Sequence, residues 1–297
     1  MMESGAIVDA HVHPVSEDKV RYPLRPREGA TEPDRPRRPG EGGMVEKGQT
    51  TEEILAGMDR AGVQAAVLVQ SAALYGFDNS YIADSARSHP GRCIALCAVD
   101  VLPESAADML SYWVEGRGCR GIRITQAEAL DVPATFPVWA RAGELRVPVD
   151  LQMQPRHLEK LPTVLERFPD VPVLIDHAGN VNRRLADGTT PATPPEALLA
   201  LARYPNIYLK LTNQNIDGAR EAGVAPLVFF GPLLEAFGAK RLMWGSDFPA
   251  TADQAYESRV VQAREAFRFI GEEELGWVMG GTAAAVWGEL VKNGQSS

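Results

Sequence analysis

The chain has 297 residues, 45% of them hydrophobic and 23% charged, and its formal net charge of −9 argues against a general nucleic-acid binder, because such proteins concentrate positive charge. No apolar stretch approaches the roughly 20 residues that span a bilayer, and the acidic start lacks the basic and apolar regions of a signal peptide. We therefore expect a cytoplasmic protein that acts on a small molecule, without nucleic acid or membrane as a partner, and leave self-association into a homo-oligomer open.

Short apolar runs alternate with helical patterns along the chain. The runs predict strands at 6–12, 65–70, 93–99, 120–125, 147–152, 171–176, 206–212 and 241–246. Most are almost continuously apolar, as strands buried on both faces are. Between them, Thr50 and Glu53 form a capping-box pattern, and apolar spacing predicts a helix over 157–168. Eight such units predict an α/β fold, a (β/α)8 TIM barrel, as one domain over residues 1–297.

Residues 17–49 interrupt this alternation. They show no apolar periodicity and carry five prolines interleaved with six arginines. A loop of this length inside a compact domain is usually a functional lid or a disordered excursion. We predict a loop insertion directly after the first strand, and the lid and the solvated insertion both stay open.

Polar side chains stand at the ends of three of the predicted strands. His11 and His13 end the first strand and share one face of it, His177 follows the sixth, and Asp247 follows the eighth. Because catalytic residues of such barrels come from the C-terminal ends of the strands, we predict that these four side chains meet. Paired imidazoles can ligate a metal or polarise a carbonyl, whereas structural histidines and a helix-capping aspartate are the plainer alternatives.

The motifs His-Val-His at 11–13, Ile-Asp-His-Ala-Gly at 175–179 and Trp-Gly-Ser-Asp-Phe-Pro at 244–249 resemble those of the amidohydrolase superfamily, in its amidohydrolase-2 branch of lactonases and decarboxylase-like enzymes. The resemblance continues through residues 69–70, 75–81, 121–123, 149–152 and 207–212. It implies that His11, His13, His177 and Asp247 form the reaction centre. It also implies that Arg123 binds a substrate carboxylate.

The chain departs from the family pattern at several strands. The fifth strand, Val-Asp-Leu-Gln-Met-Gln at 149–154, lacks the family's histidine ligand, and the fourth lacks the lysine that bridges two metals. After the eighth strand, Phe-Pro-Ala replaces Trp-Pro-His, and Gly-Thr-Ala at 281–283 replaces Gly-Asn-Pro. The first two departures weaken a tightly held metal and go against a two-metal site. We therefore expect no obligatory cofactor and at most one divalent metal, zinc, held by His11, His13, His177 and Asp247.

Further residues are weaker candidates for substrate binding. Arg123 suits a substrate carboxylate, with an internal ion pair as its alternative. Tyr75 and Asn79 could bind a sugar hydroxyl or a lactone oxygen, although such turn residues also bind backbone. Lys210 on the seventh strand either points into the site or braces the barrel. His157 is predicted to lie on the surface.

Together these features predict a hydrolase that opens a small lactone, either sugar-derived or carboxylated. Asp247 would take a proton from water while His11, His13 and His177 polarise the ring carbonyl. In a metal form the same four residues would hold one zinc ion, which would acidify the water. Two alternatives stay open: a metal-dependent decarboxylase of an unsaturated or aromatic acid, and a non-catalytic barrel that binds a carboxylated ligand.

Overall fold

Eight parallel strands form a barrel in the computed structural model, which describes residues 5–25, 48–185, 187–250 and 254–288. Each strand pairs with the next in chain order. The strands are β1 (Ile7–Val12), β2 (Val63–Val69), β3 (Cys93–Ala98), β4 (Ile122–Ile124), β5 (Val149–Leu151), β6 (Val173–Ile175), β7 (Ile207–Thr212) and β8 (Leu242–Gly245). All eight lie where the sequence predicts them, with ends shifted by a residue or two, so the (β/α)8 barrel is confirmed.

Helices connect the strands on the outside of the barrel. The described α-helices are α1 (Thr51–Ala61), α2 (Ala72–Tyr75), α3 (Ser80–Ser88), α4 (Ala106–Ser111), α5 (Phe136–Leu145), α6 (Leu161–Arg167), α7 (Glu196–Leu199), α8 (Asn213–Glu221), α9 (Pro226–Phe237), α10 (Tyr256–Ala266), α11 (Glu272–Gly276) and α12 (Thr282–Val286). None of the helices within these described ranges is long and apolar enough to cross a membrane.

Two helix predictions have different outcomes. The capping box of α1 is present, because Glu53 N donates to Thr50 Oγ1 and Thr50 N donates to Glu53 Oε2, at 3.2 and 2.8 Å. The helix predicted over 157–168 is split into a 3-10 turn at Pro155–Lys160 and the α-helix α6. Pro162 explains the split, since a residue without a backbone N–H fits the first turn of a new helix but not the interior of a long one.

Strands β1 and β8 close the barrel through a short seam. Asp247 N donates to His11 O at 2.9 Å, and His13 N donates to Phe248 O at 2.8 Å. Gly245 makes this close approach possible, because a Cβ there would lie 2.6 Å from His11 Cβ. The seam therefore brings the ends of the first and last strands together at the two histidines and the aspartate.

The barrel interior has an apolar part and a polar part. Its apolar part comprises Val8, Ala10, Val67, Leu96, Leu174 and Met243, and Ala283 of α12 packs against it. Residues that alternate with these face outward and form a larger apolar layer beneath the helices. Polar side chains fill the interior toward the C-terminal ends of the strands, where active sites of this fold lie.

The predicted insertion is described at both of its ends. Tyr22 and Leu24 pack against a small cluster that includes Leu74 and Tyr75, and Arg25 N donates to Leu74 O at 2.8 Å. Residues 26–47 lie outside the described part of the chain. The lid and the solvated insertion both stay predictions.

Candidate active site

Three side chains meet at the seam between β1 and β8. The Nε2 atoms of His11 and His13 lie 3.0 Å apart. Asp247 Oδ1 lies 3.7 Å from the former and 3.6 Å from the latter. All three residues are buried. The predicted convergence of the two strand-end histidines with Asp247 is therefore observed.

The hydrogen-bond partners of the two rings fix which nitrogen carries the proton. His13 Nδ1 lies 2.7 Å from the carbonyl oxygen of Val69, so it must be the N–H that donates. His11 Nδ1 lies 3.0 Å from Asp176 Oδ1, and the negative charge of that carboxylate favours the proton on Nδ1. A neutral imidazole has only one N–H, so both Nε2 atoms present lone pairs toward each other and toward Asp247.

His177 reaches the site from a left-handed turn after β6. His177, Ala178, Gly179 and Asn180 have φ of 54°, 48°, 73° and 59°. Non-glycine residues in this region cost about 1–3 kcal/mol each, so the surrounding contacts must hold the turn. Asn215 Nδ2 donates to His177 O at 2.8 Å, and Asn180 Nδ2 donates to Met153 O at 2.7 Å. Gly179 adopts the left-handed conformation that glycine takes most readily, and three neighbours share it.

The His177 ring is oriented by a residue at the end of β7. Its Nδ1 lies 2.8 Å from Thr212 Oγ1, and its centroid lies 4.9 Å from that of His11. With Nδ1 engaged by Thr212, Nε2 is the ring nitrogen left for a ligand. We call His11, His13, His177 and Asp247 the open cluster.

Burial keeps the histidines of the open cluster neutral. Burial and, next, the positive charge of Arg123 lower the pKa of His13 to about 3. Burial likewise lowers the pKa of His177 to about 3, although the Asp176 carboxylate opposes the shift. The pKa of His11 is lowered well below its usual value for the same main reason.

The donor set of the open cluster fits a divalent cation. Neutral imidazole nitrogens and a carboxylate are the ligands that zinc prefers, at about 2.0–2.2 Å, so atoms that share one ion lie about 3–4 Å apart. The separations among His11 Nε2, His13 Nε2 and Asp247 Oδ1 are 3.0, 3.6 and 3.7 Å. A second group that could hold a metal consists of His11, Asp176 and His177.

Four charged residues lie directly beneath the open cluster, and we call them the paired layer. They are Arg123, Asp150, Asp176 and Lys210, all buried. Each carboxylate is matched by built-in cations. Lys210 Nζ lies 2.7 Å from Asp150 Oδ2 and 3.2 Å from Asp176 Oδ1, and Arg123 Nε and Nη2 lie 3.0 and 2.9 Å from Asp176 Oδ2.

The two carboxyl groups of the paired layer have pKa values shifted in opposite directions. Burial on its own raises the pKa of Asp176, but His11, Lys210 and Arg123 together lower it well below the usual value. Burial raises the pKa of Asp150, and the neighbouring Asp176 carboxylate raises it further. Asp176 is therefore the ionised partner that fixes the tautomer of His11.

Arg123 and Lys210 form contacts inside the barrel, which fits a structural role for each better than direct contact with a substrate. Arg123 pairs with Asp176 and also donates through Nη1 to Gln70 O at 3.0 Å. It still lines the cavity above the site, so binding of a substrate carboxylate stays a prediction. Lys210 is fully buried and lies 3.5 Å from His11 Nδ1, below the open cluster. It therefore braces the barrel beneath the site.

Tyr75 and Asn79 are engaged with backbone. Tyr75 Oη accepts from Ser16 N at 2.9 Å. Asn79 Nδ2 donates to Phe77 O and Ala98 O, and its Oδ1 accepts from Ala98 N at 2.7 Å. Both residues are buried, and neither is among the described residues that line the cavity. Burial away from the cavity goes against a substrate contact by either residue, and the amide of Asn79 is already bonded to backbone.

The family follows from comparison of the whole sequence. A family model described as amidohydrolase matches residues 8–288, which is most of the chain. The chain belongs to the amidohydrolase family. The resemblance drawn from the three strand-end motifs is therefore confirmed.

Two curated relatives of this amidohydrolase are named for reactions on lactones. The L-fucono-1,5-lactonase of Burkholderia ambifaria is 30% identical over 213 residues, which is 68% of this chain and 70% of the relative. The 4-sulfomuconolactone hydrolase of Rhizobium radiobacter is 26% identical over 249 residues, 81% of this chain and 75% of the relative.

Solved structures support the fold of the amidohydrolase. An amidohydrolase from Burkholderia multivorans, crystallised with bound zinc, has a TM-score of 0.71 and 19% identity. The match covers 96% of this chain and 100% of that one. At this identity, the likeness concerns the barrel alone.

Several residues that shape the site of this amidohydrolase were missed by the sequence analysis. Asp176 and Asp150 were not singled out, although strand alternation places them inward, between outward apolar neighbours. His157, predicted to lie on the surface, is buried instead. Its Nε2 lies 2.8 Å from Glu128 Oε1, and both residues line the cavity. The loop that carries Glu128 covers His157, which a helix pattern alone does not reveal.

Proposed function

We propose that this amidohydrolase opens a small lactone, either sugar-derived or carboxylated, by attack of water on the ring carbonyl. The observation that carries the proposal is the convergence of two imidazole nitrogens and a carboxylate beside a cavity of about 550 Å³. The cavity is large enough for a small ring, and His13, His177 and Asp247 line it. The names of the two curated relatives point to the same bond type.

Asp247 is the proposed general base. Its carboxylate faces the cavity at the end of β8, where its backbone φ of 56° turns the chain out of the strand. A water molecule beside Asp247 would lose its proton to the carboxylate as its oxygen attacks the carbonyl carbon. The ring C–O bond then breaks, and the same proton returns to the alkoxide that leaves.

The neutral histidines act as acceptors in this scheme. The metal-free mechanism requires His11 and His13 to donate hydrogen bonds to a carbonyl oxygen. They cannot do so, because their Nε2 atoms direct lone pairs at the site. They are suited instead to hold a cation together with His177 and Asp247. A divalent cation bound there, for which zinc is the leading candidate, would supply the positive charge that polarises a carbonyl and acidifies water.

Neutral polar side chains are the proposed contacts for the rest of the ring. Gln152, Ser71 and Gln214 line the cavity. Gln152 follows β5, the strand that carries a histidine ligand in the family pattern, and its side chain is exposed. Amide and hydroxyl groups can both donate and accept, so they suit ring hydroxyls and carboxyl oxygens alike.

A pH-stat assay tests the proposal directly, because opening a lactone at neutral pH releases a proton. The purified protein would be screened against sugar lactones and dicarboxylated pyrones, as isolated, after treatment with a chelator, and after addition of zinc. We expect turnover of at least one lactone, loss of activity with the chelator and recovery with zinc. Activity that resists complete metal removal would contradict the role given to the cation.

The same assay separates the two alternative functions. Release of carbon dioxide from an aromatic or unsaturated acid, without lactone hydrolysis, would identify a decarboxylase. Ligand binding without turnover of any lactone or acid would identify a non-catalytic barrel. Either result would overturn the proposed function.

A further inference from the structure

We propose that Asp9, a buried residue of β1, is the positioning residue that sets the distance between His11 and Asp247. The inference rests on the proposed function for its kinetic test, but its geometric basis is independent. Asp9 is fully buried and is not among the described residues that line the cavity. Any influence on the reaction must therefore act through other residues.

Asp9 bridges three elements through one carboxylate. Its Oδ1 accepts from His11 N at 3.1 Å and from Ser246 N at 2.8 Å. Its Oδ2 accepts from Tyr256 Oη of α10 at 2.8 Å. The Ser246 side chain also hydrogen-bonds to this carboxylate. A buried carboxylate that accepts four hydrogen bonds is held firmly, because a buried polar atom that loses a partner is destabilising.

The two N–H groups that meet at Oδ1 belong to the two strands that form the site. One is the N–H of His11 itself, and the other belongs to Ser246, the residue immediately before Asp247. The pairing register of β1 with β2 is irregular between Asp9 and Val12, so pairing with β2 does not hold this stretch in a regular ladder. Asp9 supplies a fixed point where the strand register does not.

The backbone conformation of Asp247 also depends on Asp9. Its φ of 56° lies in the left-handed region, which a non-glycine residue adopts at some cost. Asp9 holds the residue before this turn, and the bond from Asp247 N to His11 O holds the turn itself. With both in place, His11 Nε2 and Asp247 Oδ1 lie 3.7 Å apart.

A displacement of this pair should cost activity more than binding. Misplacing a catalytic group by about 1 Å can reduce the rate about 100-fold. We expect Asp9→Ala to lower kcat by about that factor, while KM changes little, because the cavity wall is untouched. In its crystal structure, the separation of His11 Nε2 and Asp247 Oδ1 should exceed that of the wild type.

The conservative variant should rescue the position. Asp9→Asn keeps an oxygen that accepts from both backbone N–H groups, and its amide can donate to the Tyr256 hydroxyl. We expect kcat and the His11–Asp247 distance to return close to wild type. Asp9→Leu, which fills the space without accepting a hydrogen bond, should behave as Asp9→Ala does and replaces it if that variant does not fold.

Two controls separate positioning from general stability. Tyr256→Phe removes a bond to the same carboxylate from the side of α10 and leaves both backbone bonds, so kcat should stay close to wild type. Thr51→Val breaks a buried hydrogen bond to Ser85 Oγ, 2.9 Å long and remote from the site. It should lower the melting temperature without changing kcat.

The outcomes are decisive in either direction. Asp9→Ala with a lowered melting temperature, but wild-type kcat and an unchanged His11–Asp247 distance, would show that Asp9 is only structural. An equal loss of kcat in Thr51→Val would show the same. If the wild type hydrolyses no lactone, the proposed function fails, yet the crystallographic distance in the Asp9 variants still decides the positioning role.

Discussion

The open cluster and the paired layer lie one above the other in the barrel, yet they treat charge in opposite ways. In the paired layer, Lys210 and Arg123 form ion pairs with the buried aspartates from within the protein. In the open cluster, two lone pairs and a carboxylate converge and no cationic side chain stands among them in the described ranges. The difference shows where this protein can accept an external cation and where it has already provided its own.

His11 belongs to both regions and connects them. Its Nδ1 faces Asp176 in the paired layer, and its Nε2 faces His13 and Asp247 in the open cluster. The internal ion pairs therefore orient the ring that serves the site. Variants that alter either region should give separable effects on activity and on stability.

The largest effect should come from Asp247→Asn, in the open cluster. General-base catalysis contributes about 100- to 10,000-fold, so kcat for lactone hydrolysis should fall by that range. The fold should persist, because asparagine is among the residues that best tolerate the left-handed φ of this position. Steady-state kinetics and circular dichroism measure the two parts, and near-full activity in the variant would refute the role of Asp247.

Lys210→Met tests the paired layer. The substitution leaves Asp150 and Asp176 buried without the cation between them, and breaking a buried pair in this way costs about 3–5 kcal/mol. Urea denaturation should show that loss in the free energy of unfolding. The matched control is Lys160→Met, since Lys160 pairs with Asp131 near the surface and such pairs contribute about 0–1 kcal/mol. Equal losses in the two variants would contradict the contrast.

Thr212→Val probes how the open cluster is oriented. It removes the hydroxyl that lies 2.8 Å from His177 Nδ1. Loss of such an outer partner typically lowers metal affinity about 10- to 100-fold, and a zinc titration of the metal-free protein should show this. Thr212→Ser keeps the hydroxyl and should keep the affinity. An unchanged affinity in Thr212→Val would place His177 outside the metal-binding set.

The smallest effect concerns the pH dependence of stability. In the fold the pKa of His177 is about 3, against 6.5 for an ordinary histidine, so the unfolded chain binds this proton first as the pH falls. The stabilisation is present above pH 6.5 and is lost as the pH falls toward 3, by at most about 1.4 kcal/mol per pH unit.

His177→Gln should therefore lose stability less steeply than the wild type over this pH range. The opposing contributions of Asp9 and Asp150, whose pKa values burial raises, are common to both proteins and cancel in the comparison. Urea denaturation of the chelator-treated proteins at several pH values measures the slopes. Parallel curves would show that His177 is not kept neutral by burial.

The sequence was sufficient for the fold and for the convergence of His11, His13 and Asp247, while the catalytic and metal-binding roles of the open cluster stay predictions. Short apolar runs predict the positions of the strands, and the C-terminal ends of parallel strands all lie at one face of a barrel. Partners across the barrel were not visible in the same way. Asp176, 165 positions after His11, fixes its ring, and no local pattern states such a pairing.

The weaker candidates show the same limit. Every residue has a backbone carbonyl, and all but proline have an N–H, so the sequence does not show which of these a side chain will bond. The backbone hydrogen bonds of Asn79 and Tyr75 could therefore not be predicted from residue type. The charged residues of the paired layer did leave a signal, since Arg123, Asp150 and Lys210 each stand alone between two apolar strand residues. A single charge in such a place points into the barrel and needs an internal partner.

The left-handed turn after β6 has a consequence for redesign. Loops of barrel enzymes are natural targets for grafting from one enzyme to another, because the loops determine specificity and the strands determine the fold. This loop is not a module. Asn215 on α8 and the Met153 carbonyl after β5 hold its backbone, so a graft of residues 176–180 alone would leave behind the contacts that shape it. The transplantable unit is the loop together with the segment that follows β5 and the start of α8.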